Sequence, residues 1–184
     1  MSTSVDLHRD DWVLALRKDF ISRPGHPDEQ FGRLVLEHPG AVIVLTLDDE
    51  ERVLVLRQYR HAVRRRFIEL PAGLCDVASE NPLLTAQREL REEAGLQAAH
   101  WEHLLSSYSS PGISTERMEI YLATGLRGCD RGNFTLEHEE ADMTLLWVAF
   151  DDLLRAVLAG EVGDGPLALA VMTHALRSRS VAPS

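Results

Sequence analysis

From His38-Pro39-Gly40 onward, short apolar runs alternate with polar turns. Ala41 to Leu47 and Arg52 to Arg57 are rich in Val, Ile and Leu and are joined by Asp48-Asp49-Glu50-Glu51. That pattern predicts two strands forming a hairpin with a polar loop. The clearest helix covers Pro82 to Ala94, where Leu83, Ala86, Leu90 and Ala94 recur at helical spacing. Asn81 suits its N-cap, Pro82 the first helical position, where no amide hydrogen is needed, and Gly95 its stop. Further strands are predicted at Leu104 to Tyr108, Met118 to Ala123 and Thr144 to Phe150. Two helices follow, one from Asp151 as its cap to Gly160, the other from Pro166 to Leu176 with Asp164 ahead of it. Upstream, Trp12 to Leu16 and Arg33 to Glu37 read as strands of a small N-terminal sheet, separated by the turn-rich stretch Arg23 to Asp28. Strands outnumber helices and are mostly hairpin-connected, which indicates an α+β, layered mixed-sheet domain.

Composition narrows the classes. The chain has 184 residues, 45% hydrophobic and 26% charged, so it is the size of one domain with a substantial core and is not broadly disordered. No apolar run approaches the ~18 residues of a membrane helix. The N-terminus carries Asp6, His8, Arg9 and Asp10 without an apolar segment, unlike a secretory signal. Two cysteines, Cys75 and Cys129, are too few for a disulfide framework and lack a C-x-x-C partner for zinc, so a reducing cytoplasmic setting is expected. A net charge of -10 argues against nucleic-acid binding by phosphate neutralisation. A small phosphorylated ligand stays open if local arginines or divalent cations offset the repulsion. The 18 arginines against the single Lys18 fit either GC-rich codon usage or bidentate phosphate contact.

The chemistry concentrates at the end of the first helix, Arg88-Glu89-Leu90-Arg91-Glu92-Glu93-Ala94-Gly95-Leu96. Helical spacing puts Glu89, Glu92 and Glu93 on one face. A solvated acidic face and a cation site are both open readings. Against the first, like charges one turn apart repel, and the last turn of a helix disfavours anions by ~0.3–1 kcal/mol each. A bound Mg²⁺, which favours oxygen ligands, would reverse both penalties.

Taken with the preceding Glu69-Leu70-Pro71-Ala72-Gly73 and Glu80, the stretch Gly73 to Leu96 resembles the Nudix box, G-x5-E-x7-R-E-u-x-E-E-x-G-u with u aliphatic. Every fixed position from Glu80 onward matches; six residues rather than five separate Gly73 from Glu80. Gln58-Tyr59-Arg60, Glu69 to Gly73 and Ser110-Pro111-Gly112 are similar to the bacterial ADP-ribose pyrophosphatase branch. The resemblance covers most of residues 33 to 176. It implies a Nudix fold, an α/β/α sandwich with a mixed sheet (39–184), behind an N-terminal β arm (1–38) that mediates dimerisation. It implies Glu89 and Glu93 as ligands of Mg²⁺ or Mn²⁺, with Glu92 supporting and the Ala72 carbonyl completing the shell. Arg60 would reach the phosphates and Glu69 the nucleoside or its ribose. Pro111 and Gly112 would contact substrate, and Gly73, Glu80, Arg88 and Gly95 would shape and orient the site. The base would come from the acidic loop His138-Glu139-Glu140-Ala141-Asp142, with Glu140 ahead of Glu139.

The implied reaction is Mg²⁺-dependent hydrolysis of ADP-ribose to AMP and ribose 5-phosphate, by a homodimer acting on a small nucleoside diphosphate. Two rivals are a pyrophosphatase for another nucleoside-diphosphate sugar and a non-catalytic nucleotide sensor. The acidic loop also has the outline of a zincin motif, but its last position is Asp and a strand follows, so zinc proteolysis is set aside. Arg64-Arg65-Arg66 reads as a solvated turn, Cys75 as a small residue of the box loop, and Tyr59 and Trp12 as either adenine-stacking or sheet-buried aromatics.

Overall fold

The computed structural model describes residues 3–9, 14–132 and 143–181. Three N-terminal strands, β1 (Thr3–Arg9), β2 (Ala15–Arg23) and β3 (His26–Glu37), form an antiparallel sheet in that order. Gly25, at φ 80, makes the tight β2–β3 turn that only a residue without Cβ adopts easily. The turn is thus shorter than the predicted loop, and both strands run further toward it.

The body contains two sheets. One is mixed, in the order β7 (Ala72–Leu74), β4 (Ala41–Thr46), β9 (Arg117–Gly128), β8 (Leu96–Tyr108), with β4 and β9 parallel. The other is antiparallel, β10 (Thr144–Ala149), β5 (Arg52–Arg60), β6 (Arg65–Glu69). Helix α1 (Pro82–Ala94) covers one face of the mixed sheet, while α2 (Phe150–Leu158) and α3 (Gly165–Val181) pack on the other side. This is the α+β, layered mixed-sheet architecture expected.

Strand β4 shows why the layers hold. Val42 and Val44 pack against Ala86 and Leu90 of α1, while Ile43 and Leu45 join Leu167, Ala170 and Val171 of α3 in the larger core. A strand covered on both faces reads as a continuous apolar run rather than an alternating one. The expected β4–β5 hairpin does not form: the two strands belong to different sheets and meet only at the Leu47–Val53 bridge. The Asp48 carboxylate accepts from the Glu50 and Arg52 amides and from the Arg52 side chain, so the loop is a true turn. Loop chemistry specifies that the chain reverses; the two apolar faces of β4 decide that it sits inside the other sheet.

Two local expectations also change. Ala149, not Asp151, occupies the start of α2, and no side chain caps it; Asp151 lies in the first turn, where the dipole favours an acid. Arg64 closes an exposed turn as expected, while Arg65 and Arg66, also exposed, open strand β6. Helix α1 matches its predicted span, with the Asn81 side chain accepting from the Leu83 amide and Gly95 in the left-handed region at φ 65.

A candidate active-site cleft

The end of α1 lies over β7, and their junction forms the floor of a cleft of about 770 Å³. Gly73 makes this approach possible. A Cβ there would lie 2.1 Å from the Glu89 carboxyl carbon, closer than any real contact. Beside it the Ala72 amide donates to Glu93 Oε2 at 3.1 Å, and Glu93 is only 5% exposed. Sheet pairing of Ala72 with Ile43 and Gly73 with Val42 sets the height of this strand beneath the helix.

Arg88 organises the acids. Its Nη1 donates to Glu89 at 2.7 Å and more loosely to Glu92 at 3.4 Å. Its Nη2 is buried without a hydrogen-bond partner, 3.7 Å from Asp76 and 3.8 Å from Glu80. Burial alone would lower the guanidinium pKa, but the carboxylates of Glu89, Glu92, Glu80 and Asp76 outweigh it and raise it. Glu80 accepts from the Thr85 hydroxyl at 2.8 Å, tying the box loop to the first turns of α1.

The opposite wall is built from β5, β6 and the start of α3. Arg60 Nε and Nη2 grip Glu69, the shortest contact being 2.6 Å, and Glu69 is 6% exposed. The hydrogen bond that Arg60 donates to Glu69 is the main cause of its raised pKa, against the opposing effect of burial. Gln58, Phe67, Gly163 and Asp164 line this wall as well. Asp164 carries a strong perturbation: burial pushes its carboxyl up to about 6, opposed by the Leu167 amide bond.

Of the residues singled out in the sequence, Arg60, Glu69, Ala72, Gly73, Arg88, Glu89, Glu92 and Glu93 all line the cleft. Pro111 and Gly112 do not. They sit in a turn whose residues Ile113 and Thr115 hydrogen-bond to Leu36, and that loop reaches the cleft only through Glu116. Tyr59 meets His61 edge-on and does not line the cleft either. Glu139, Glu140 and Trp12 lie outside the described residues. Burial raises the Cys75 thiol pKa, which suits an inert residue rather than a nucleophile. Sequence reasoning gave no role in the site to His38, Asp76, Phe67, Glu116 or Asp164. Only Asp164 had left a trace, as a residue ahead of a helix.

The carboxylates of Glu89, Glu92 and Glu93 and the backbone carbonyl of Ala72 are oxygen donors along one cleft, the ligand type a hard divalent cation takes. Among the described residues no three acidic, histidine or cysteine side chains converge into a closed metal cage. Mg²⁺ does not need one, because it keeps waters and takes substrate phosphate oxygens alongside one or two carboxylates. The residues therefore fit such an ion.

An acidic helix end framed by arginines across an open cleft defines a site for a polyanionic ligand and its counter-cation. Residues 37–168 match the NUDIX domain family model. The chain is 48% identical to the ADP-ribose pyrophosphatase of Mycobacterium tuberculosis, over 82% of this chain and 70% of that one. It is 34% identical to the ADP-ribose pyrophosphatase of Bacillus subtilis, over 76% and 74% respectively. A crystal structure described as an ADP compounds hydrolase shares the fold at a TM-score of 0.78 and 15% identity, covering 97% of this chain and 92% of its own. The chain belongs to the Nudix hydrolase superfamily. Members of this superfamily generally use divalent cations, usually Mg²⁺.

Proposed function

We propose that this Nudix hydrolase cleaves ADP-ribose to AMP and ribose 5-phosphate, with Mg²⁺, or Mn²⁺ in its place, held by Glu89 and Glu93 and supported by Glu92 and the Ala72 carbonyl. The reading rests on one observation above all: a single cleft combines the acids of α1, seated against the bare Cα of Gly73, with Arg60 on the facing wall. Its relatives' shared activity agrees.

A bound divalent cation supplies neutralisation of the non-bridging phosphate oxygens and a lower pKa for a coordinated water. The chain's own residues do the rest. Arg88 holds Glu89 and Glu92 in place by charge-assisted hydrogen bonds. Arg60 Nη1 donates to no described residue and can donate to a phosphate oxygen. Water attacks one phosphorus, the bond from that phosphorus to the bridging oxygen breaks, and the proton of the water passes to Glu140, with Glu139 as the alternative base. Gly73, Glu80 and Gly95 shape the loop and helix end, and Pro111 and Gly112, set back from the cleft, contact only substrate that extends beyond it.

The N-terminal arm, 1–38, pairs two copies of the chain, leaving 39–184 as the hydrolase domain. The sheet has two unlike faces. One carries the ion pairs of Arg9 with Asp6 and Arg17 with Asp19, both arginines also meeting Glu37. The other presents Val5, Leu16, Leu34 and Leu36, all exposed and aligned by the strand register. Light scattering at micromolar concentration tests this; a monomer overturns it. Among the described residues no helix is long and apolar enough to cross a membrane, and the two free cysteines suit a reducing cytoplasm.

The deciding experiment incubates the pure protein with Mg²⁺, ¹⁸O-water and a panel of nucleoside diphosphate compounds. Fastest turnover of ADP-ribose, with label in one product, is expected. Preference for a GDP- or UDP-sugar transfers the assignment to that substrate, and no turnover of any of them favours a sensor.

A further inference from the structure

Asp164 performs a common local task in an uncommon place. Its Oδ1 accepts from the Leu167 amide at 2.8 Å, and its backbone oxygen accepts from Ala168 at 3.1 Å, which is the geometry of a helix N-cap. Capping requires one oxygen and no burial. Here the link ahead of α3 is folded against β6 instead. A Cβ on Gly163 would stand 3.1 Å from Phe67 Cε1, so the glycine is what lets the link approach that ring. The result carries Asp164 into the cleft wall beside Arg60, Phe67 and Glu69.

Two polar atoms of residues lining the cleft there have no hydrogen-bond partner among the described residues. Asp164 Oδ2 receives no hydrogen bond from any described residue, and Arg60 Nη1 donates none. The two side chains sense each other's charge, and Glu69 acts on both. Above pH 6 the Asp164 carboxylate is an acceptor only. An anionic acceptor next to a phosphate-binding guanidinium is wasted on a bare phosphate, which it would repel. It suits a hydroxyl-bearing sugar attached to that phosphate, since carboxylates recognise ribose by accepting from its hydroxyls.

We propose that Asp164 is a further substrate-binding residue, beside Arg60 and Glu69 in the cleft wall and accepting a hydrogen bond from a hydroxyl of the nucleoside ribose whose phosphate Arg60 holds. This rests on the ADP-ribose reading given above.

The test uses the full chain with Mg²⁺ and Asp164→Ser, because serine caps a helix as well as aspartate but is too short to reach a ligand. The KM for ADP-ribose is expected to rise about tenfold, the weight of one hydrogen bond to a charged acceptor, with kcat little changed. Inhibition constants for AMP, 2′-deoxy-AMP, 3′-deoxy-AMP and ribose 5-phosphate locate the contact. AMP should weaken in step with ADP-ribose. The deoxy analogue lacking the contacted hydroxyl should bind wild type and variant alike, and ribose 5-phosphate should be unaffected.

An unchanged KM with intact AMP discrimination leaves Asp164 a cap and overturns the proposal. A change seen with ribose 5-phosphate instead of AMP overturns it too. Should Asp164→Ser fold poorly, Asp164→Asn, which keeps the cap and an uncharged acceptor, is read in the same way with a smaller rise expected. If wild type fails to hydrolyse ADP-ribose, the functional reading falls separately, and calorimetric binding of AMP and its deoxy analogues still decides the role of Asp164.

Discussion

The two walls of the cleft are made in opposite ways. The α1 wall is local: Gly73, Arg88, Glu89, Glu92 and Glu93 come from one strand–loop–helix unit, and their mutual geometry follows from helix periodicity and a single glycine. The facing wall is assembled: Arg60 comes from β5, Glu69 from β6 and Asp164 from the link before α3, brought together only because sheet and helix stack on a common core. The local wall holds an excess of negative charge around one arginine. The assembled wall pairs its arginine with Glu69 and sets Asp164 near enough to act on its charge. The difference suggests a division of labour, in which the local wall serves the cation and the reacting phosphorus while the assembled wall reads the rest of the substrate. Changes in the first should fall on turnover, and changes in the second on affinity.

The largest effect expected concerns Glu140, which lies outside the described residues. Glu140→Gln should lower kcat by about 10²–10⁴-fold with KM little altered, the range for loss of a general base. Steady-state kinetics check this, and near-normal turnover would transfer the role to Glu139. On the local wall, Gly73→Ala should cost on the order of 10²-fold in kcat, because the new methyl displaces Glu89 from its seat. Activity unaffected by that substitution would remove Glu89 from the chemistry.

On the assembled wall, Glu69→Gln should raise the KM for ADP-ribose about tenfold while largely sparing kcat, since the uncharged amide no longer fixes Arg60 through a charge-assisted bond. If kcat falls instead and KM holds, the proposed division between the walls is wrong.

The smallest effect concerns stability. Asp164 has a folded pKa of about 6, above its ordinary 3.8, so the folded state binds its proton more tightly than the unfolded one. Its contribution is therefore favourable at low pH and is lost as pH rises through 6. Asp164→Asn, which keeps the cap, should raise Tm by a few degrees at pH 7.5, and the gain should vanish toward pH 4. Thermal unfolding at both pH values checks the sign; a destabilised variant at pH 7.5 would show that the ionised carboxylate is favoured in the fold.

Much of the local wall was legible beforehand. Asn81, Pro82 and Gly95 bound α1 at the predicted residues because caps and stops act within a few positions of the groups they satisfy. The spacing of Glu89, Glu92 and Glu93 likewise needs nothing beyond 3.6 residues per turn. The Asp48–Glu51 stretch was read correctly as a reversal and wrongly as a hairpin, since its hydrogen bonds close the loop whichever sheets receive the strands. Asp164 was visible as a cap and invisible as part of a cleft, because its burial depends on how the link before α3, through Gly163, folds against Phe67 of β6.

The amino-acid order alone determined the α+β class, the acidic helix and its ends, and the family pattern, all of which depend on short-range spacing. Tertiary structure alone decided that β4 is shared by two cores, that Pro111 and Gly112 stand back from the cleft, and that Arg60, Glu69 and Asp164 face the acids of α1. The physical reason is range. Backbone hydrogen bonding and side-chain periodicity act over a few residues, whereas burial and charge pairing depend on which surfaces the completed fold presses together.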